Sequence, residues 1–124
     1  MKIGVYGQFY HQDSEVYIQC ILDVLQDKNV DIVVEDAFLK SIQKHKDISK
    51  SYSKVSSFKE IDDSYDFFLS IGGDGTILKS VTYVKDLGIP IIGINTGRLG
   101  FLATIQKEKI TESLHQILNG NYVL

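Results

Sequence analysis

The part of the sequence with the clearest chemical potential is Gly72-Gly73-Asp74-Gly75-Thr76. Three glycines within four positions permit positive φ angles and allow a ligand to approach the bare backbone. A helix that began here would offer free N–H groups and a partial positive charge to an anion. The segment therefore predicts an anion-binding turn, and its structural alternative is a tight strand-to-helix turn with Asp74 or Thr76 as the helix cap.

Two common phosphate-binding loops are excluded by the residues around these glycines. No Gly-Lys-Ser or Gly-Lys-Thr follows, as a Walker A loop requires, and no third glycine stands at the spacing of the dinucleotide fingerprint. A carboxylate in a phosphate-binding turn repels its ligand unless it contacts a hydroxyl group, or a metal ion that also contacts phosphate. Asp74 therefore points to a ligand that brings one of these two groups into the turn.

A second polar segment, Asn-Thr-Gly-Arg-Leu-Gly-Phe at residues 95–101, follows another apolar run. Asn95 can both donate and accept hydrogen bonds at the edge of a ligand. Arg98, the only arginine in the chain, suits either a phosphate clamp or a surface ion pair. Phe101 suits either stacking on an aromatic ring or burial in the core. The segment is a candidate binding loop with these structural alternatives open.

The apolar patterning around the two segments predicts alternating strands and helices. Strands are predicted at 2–6, 30–35, 66–71 and 90–94, and helices at 13–29, 38–46, 77–87 and 110–118. This alternation predicts an α/β fold, a Rossmann-like three-layer domain with a parallel sheet and helices on both faces.

Parallel sheets bind ligands outside the carboxyl ends of their strands. The loops at Asp74 and Asn95 would therefore share one crevice if their two strands lie close together. Gly7-Gln8, at the end of the first predicted strand, reaches the same edge of the sheet. This dipeptide could border the crevice, but a plain turn is the favoured interpretation.

Residues 40–59 differ in composition from the rest of the chain. They contain six lysines, six serines and one acidic residue, Asp47. Such a stretch buries little apolar surface, and we expect its part at 46–59 to be a mobile surface segment. The functional alternative is a flap that contacts a polyanionic ligand.

Composition excludes several other classes of protein. The chain has 124 residues, of which 44% are hydrophobic and 23% are charged, as in one globular domain. A single cysteine excludes a disulfide framework, and no apolar run suits a bilayer span or a signal peptide. A net charge of −3 argues against nucleic acid as a partner. We expect a soluble cytoplasmic chain with no membrane partner and, from its scattered histidines, no metal-ligand cluster.

Taken together, the sequence at 72–76 and the sequence Asn-Thr-Gly-Arg-Leu-Gly-Phe-Leu at 95–102 resemble the NAD kinase family. The first motif is shared with diacylglycerol and sphingosine kinases, and a close variant occurs in phosphofructokinases. The second motif is far more specific to NAD kinases. The resemblance extends from Lys2 to Leu124 and is thin over 40–59.

The resemblance implies phosphorylation of the NAD 2′-hydroxyl by ATP, or by polyphosphate in some members, with Mg²⁺ or another divalent cation. It implies that Asp74 is catalytic, since this carboxylate would lie beside the reacting hydroxyl and take its proton. A carboxylate with an ordinary pKa suits an orienting, late-acting base, because positioning and charge neutralisation dominate phosphoryl transfer. The binding residues that the resemblance implies are Gly72, Gly73, Gly75, Thr76, Asn95 and, at the adenine, Phe101.

The family's proteins are about twice as long as this chain and carry a second, β-rich domain. The resemblance thus implies that residues 1–120 form the N-terminal α/β domain, that 121–124 begin a domain absent here, and that this chain alone is inactive. Full-length members are homodimers or homotetramers. Two alternatives stay open, a lipid kinase of the diacylglycerol type and a nucleotide-binding α/β module without catalytic activity.

Overall fold

The computed structural model describes residues 1–8, 14–44, 55–95, 105–106 and 109–119. Within these residues the chain forms six strands and four helices. In chain order they are β1 (Lys2–Gly7), α1 (Ser14–Asp27), β2 (Asp31–Glu35), α2 (Asp36–Lys44), β3 (Ser56–Phe58), β4 (Phe67–Gly72), α3 (Asp74–Val84), β5 (Ile91–Asn95), β6 (Ile105–Gln106) and α4 (Ile110–Leu118).

The strands form one parallel sheet in the order β3-β2-β1-β4-β5-β6. The chain moves outward from β1 to β3 and then returns to the other side of β1 to begin β4. The direction of winding therefore reverses between β1 and β4, which is where open α/β sheets bind ligands. The α/β fold with a parallel sheet is confirmed.

Helices pack on both faces of this sheet, as the sequence predicts. Alternate strand residues such as Ile3 and Val5 point to one face, where they join the apolar side chains of α1, α2 and α4 in the larger core cluster. Tyr6 and Phe68 point to the opposite face, which α3 covers with Val84. The three-layer arrangement is therefore confirmed.

The face beneath α3 is held by aromatic contacts. The ring centroid of Tyr83 on α3 lies 5.3 Å from that of Tyr6, 5.8 Å from Phe58 and 6.0 Å from Phe68. Aromatic pairs at such distances add to the free energy gained from burial alone. One residue of α3 thus binds the helix to β1, β3 and β4 together.

The predicted elements are present, with ends that differ by a few residues, but the expectation for 40–59 needs correction. Helix α2 ends at Lys44, and Ser56–Phe58 forms the edge strand β3 with Phe58 buried. Parallel pairing with β2 and burial of one aromatic ring outweigh the polar composition there. Most of the expected mobile segment lies outside the described residues, at 45–54. The expected start of another domain, at 121–124, also lies outside them. The short strand β6 was not predicted.

The centre of the sheet is closely packed at the end of β1. A Cβ atom added to Gly7 would lie 2.9 Å from the carbonyl oxygen of Ile71 and 2.8 Å from Cζ of Phe38. The backbone N–H of Gln8 continues the ladder by donating to the Ile71 carbonyl at 3.1 Å. This position therefore requires glycine.

None of the described helices is long and apolar enough to cross a membrane.

We predict that Gly7→Ala lowers the free energy of unfolding by about 1–3 kcal/mol, because the new methyl group overlaps a backbone oxygen that cannot move independently. Gly4→Ala is the matched control on the same strand, since the three atoms nearest to its Cβ would be ring atoms of Phe68 and Tyr65, at 3.2–3.3 Å. Urea unfolding of both variants measures the difference. Equal losses in the two variants would contradict the assignment of close packing to Gly7.

A second prediction concerns alkaline pH. Burial raises the pKa of Tyr83 above its ordinary value of 10.0, and the charges of Glu35 and Tyr6 raise it further. The folded state thus favours the neutral phenol, so this stabilisation is complete below the ordinary pKa and is lost as pH rises through the raised pKa. We expect the free energy of unfolding to fall above pH ~10, and to fall less steeply in Tyr83→Phe. Urea unfolding across alkaline pH tests this, and identical slopes would contradict it.

Candidate functional site

The carboxyl ends of three adjacent strands bring the predicted site residues to one edge of the sheet. Strand β4 lies between β1 and β5, and Gly72 is the register partner of Asn95. The strands that precede the two candidate loops are therefore neighbours, which is the condition for a shared crevice. Asn95 is buried at this edge, with only 3% of its surface exposed.

The glycine-rich turn has one glycine that the backbone requires. Gly72 has a φ of 154°, a conformation that residues with a side chain rarely adopt. Gly73 follows in an extended conformation as the N-cap of α3. The turn therefore changes direction at Gly72, and the helix begins at once.

Asp74 is the first residue of α3, so the alternative in which Asp74 caps the helix is wrong. The cap position belongs to Gly73, which has no side chain to make a capping hydrogen bond. The Gly73 carbonyl accepts from the N–H groups of Thr76 and Ile77, at 3.1 and 3.2 Å. Helix geometry leaves the earliest N–H groups of α3 without intrahelical acceptors. The N-terminus of this eleven-residue helix can therefore interact with an anion.

Packing against the described residues does not explain the other two glycines. A Cβ atom at Gly73 or Gly75 would find no heavy atom within 4 Å among the described residues. Neither residue has a positive φ. Among the described residues, therefore, nothing blocks the approach of a ligand to Gly73 and Gly75 at the N-terminus of α3.

Asp74, between these two glycines in the first turn of α3, is half-buried. A negative side chain in the first turn interacts favourably with the helix dipole. In the described part of the chain, no group of three or more His, Cys, Asp or Glu residues could hold a metal ion by itself. One carboxylate at an anion site suits Mg²⁺, which is commonly held by one or two carboxylates together with substrate phosphates.

Thr76 is fully buried and contacts Gln8, the residue that follows β1. Its hydroxyl donates to the Gln8 side-chain oxygen at 3.4 Å, and its carbonyl accepts from the Ser80 hydroxyl at 2.9 Å. The sequence analysis favoured a plain turn at Gly7-Gln8, and the structure instead brings Gln8 into contact with the glycine-rich turn. The available signal was its position directly after a predicted strand, whose carboxyl end lies at the edge of the sheet that carries Asp74.

A cavity of about 340 Å³ opens beside Gln8, at the ends of β1 and β2. Glu35, with 6% of its surface exposed, lines it and accepts hydrogen bonds from the N–H groups of Ala37 at 2.7 Å and Phe38 at 3.3 Å. The Glu35 carboxylate thereby stabilises the N-terminus of α2. Sequence reasoning placed Glu35 only at the end of a strand, although an acidic residue at that position was a usable signal.

Part of the predicted site lies outside the described residues. Phe101 and Arg98 belong to 96–104, so stacking by Phe101 stays a prediction. The structure brings together Gly72, Gly73, Asp74, Gly75, Thr76 and Asn95 and adds Gln8 to them.

Comparisons with known proteins agree on one family. The sequence-family model of the ATP-NAD kinase N-terminal domain matches residues 3–122 of this chain. The chain is 52% identical to an NAD kinase of Christiangramia forsetii and 43% identical to one of Flavobacterium psychrophilum, over the whole chain in both cases. It spans 42% of the length of each of these relatives.

The fold is also that of a solved structure, yeast NADH kinase complexed with NADH. The TM-score is 0.75 at 16% sequence identity, over 98% of this chain and 38% of the yeast chain. At that identity the likeness concerns the fold alone.

We predict that the three glycines of the turn differ in their effect on stability. Gly72→Ala should lower the free energy of unfolding by about 1–3 kcal/mol because of its φ. Gly73→Ala, the matched control, should lower it by less, at most about 1 kcal/mol, since its Cβ meets no described atom and only the preference for glycine over alanine at the N-cap is lost. Gly75→Ala should leave stability unchanged or raise it by up to about 1 kcal/mol, because alanine is the better helix former. Urea unfolding measures all three. A loss for Gly73→Ala equal to that for Gly72→Ala would show that packing restrains both.

Proposed function

The chain belongs to the NAD kinase family, and on that premise we propose that it supplies the catalytic carboxylate and phosphate-binding turn of an enzyme that converts NAD and ATP into NADP and ADP. The observation that carries the proposal is the start of α3, where Asp74 stands in the first turn beside the open space at Gly73 and Gly75. Because the chain spans 42% of the length of its relatives, turnover is to be assayed in a protein of their length.

The proposed reaction is an in-line phosphoryl transfer. The 2′-oxygen of the adenosine ribose of NAD forms a bond to the γ-phosphorus of ATP, and the bond from that phosphorus to the ADP oxygen breaks. The Asp74 carboxylate orients the 2′-hydroxyl and receives its proton late in the step. Because the transition state is loose, little base strength is needed, and correct placement of the hydroxyl contributes most.

The helix N-terminus and the carboxylate have complementary tasks in this proposal. The backbone N–H groups of the turn bind phosphate oxygens, and Gly73 and Gly75 allow the phosphate to approach them. Asp74 would repel phosphate unless a hydroxyl group or a cation stood between them. A divalent cation held by Asp74 and phosphate oxygens would neutralise phosphate charge when bound. ATP is the proposed donor, with polyphosphate as the alternative donor.

The remaining expectations belong to the same proposal. Asn95 shapes the pocket for NAD, which its burial beside Gly72 supports. Phe101 stacks on the adenine of NAD. Residues 1–120 act as one α/β domain, and 121–124 lead into a further domain. The complete protein is a cytoplasmic homodimer or homotetramer.

We predict that Asp74→Asn in the full-length protein lowers the turnover number for NADP formation by about 10³-fold, within the range for loss of a positioned general base. NAD binding, measured by calorimetry, should be retained. Asp86→Asn is the matched control, because Asp86 is an exposed carboxylate that follows the other end of α3. Near-normal turnover of Asp74→Asn would exclude the proposed role of Asp74.

The substrate is tested in the same assay with diacylglycerol in place of NAD. NADP formation without lipid phosphorylation supports the proposal. Phosphorylation of the lipid alone would instead assign the glycine-rich turn to a lipid kinase.

A further inference from the structure

Gln8 connects the end of β1 to the start of α3 through both ends of its side chain. Its amide nitrogen donates to the Tyr6 hydroxyl at 3.2 Å, and its amide oxygen accepts from the Thr76 hydroxyl at 3.4 Å. Gln8 is nevertheless exposed to solvent. An exposed side chain with two such partners does not fit the plain turn that sequence reasoning favoured.

The backbone of Gln8 is held as firmly as its side chain. Its N–H group donates to the Ile71 carbonyl, and Gly7 before it leaves no space for a Cβ atom against Ile71. The side chain of Gln8 therefore extends from a backbone position that is fixed where β1 meets β4. From there it reaches the first turn of the helix that carries Asp74.

Tyr6, the partner of the Gln8 amide nitrogen, is itself held in place by packing. It is buried, and its ring packs on Tyr83 in the last turns of α3. Donation from Nε2 to Tyr6 directs Oε1 toward Thr76. Both ends of the carboxamide thus have a hydroxyl partner, Tyr6 at one end and Thr76 at the other.

We infer that Gln8 is a positioning residue for the phosphoryl transfer, since it holds the first turn of α3, and with it Asp74, against the end of β1. The inference rests on the proposed function. Gln8 acts through Thr76 and does not need to contact the substrate. Because Gln8 is exposed, its hydrogen bonds contribute little to overall stability, whereas small displacements of a catalytic group are costly to turnover.

The test compares Gln8→Met with the unchanged full-length protein. Methionine keeps the length of the side chain and removes both hydrogen bonds. We expect kcat for NADP formation to fall by about 10- to 100-fold. We expect KM for NAD and ATP, and the midpoint of urea unfolding, to stay unchanged. A rise in KM at constant kcat would show direct substrate binding by Gln8 and overturn the inference, as would an unchanged kcat.

A double variant separates positioning from a general structural effect. Tyr6→Phe keeps the buried ring and removes only the hydroxyl that accepts the hydrogen bond from the Gln8 carboxamide. It should lower kcat in the same direction, and Tyr6→Phe combined with Gln8→Met should lose no more than Gln8→Met alone. Multiplicative losses would contradict the proposed connection.

A measurement that does not depend on enzyme activity tests the role of Gln8 separately from the proposed function. Amide hydrogen exchange at Thr76 and Ile77, in the first turn of α3, should become faster in Gln8→Met. The Lys85 amide, which donates to the Val81 carbonyl at the other end of the helix, is the internal control and should not change. If the unchanged protein forms no NADP, the proposed function fails. Unchanged exchange at Thr76 and Ile77 overturns the inference about Gln8.

Discussion

The parallel contact between β1 and β4 is the constraint on which the rest of the structure depends. Five residue pairs are in register across it, from Ile3 with Phe67 to Gly7 with Ile71. At the end of this contact where Gly7 pairs with Ile71, the lack of a side chain at Gly7 allows the two backbones to approach closely. The chain reverses its direction of winding at this contact, and in open α/β sheets a ligand-binding crevice forms at such a reversal.

The contact between β1 and β4 also determines the electrostatics at the carboxyl ends of these strands. Helix α3 begins directly after β4, so its positive end lies at the edge of the crevice. Tyr83 packs the same helix onto Tyr6 of β1, which fixes its position across the sheet. Asp74 then adds a negative charge to a site otherwise suited to anions. This combination of a helix N-terminus with a carboxylate fits phosphate chemistry at a hydroxyl group better than simple phosphate binding.

Much of this arrangement could be predicted because it depends on local sequence. The alternation of apolar runs with helical spacing indicated the α/β fold, and the glycines of 72–76 indicated a turn open to ligands. The edge strand Ser56–Phe58 was missed, because its pairing with β2 and the burial of Phe58 depend on residues distant in the chain. Asp74 was placed at the right helix end, whereas its exact position inside the first turn depends on the backbone of Gly72 and Gly73.

The sequence by itself determined the classes of element, the glycine-rich turn and the family, since each depends on residue types at short spacing. Only the tertiary structure decided the strand order, and with it which loops are neighbours. It made Asn95 a partner of Gly72, and it brought Gln8 to Thr76 across 68 positions of the chain. Side-chain periodicity reports which face of a strand is buried, but it carries no information about which strand lies beside it. For that physical reason, the sequence could place Gln8 at the edge of the sheet that carries the site, but its contact with Thr76 became evident only once β1 and β4 were known to be adjacent.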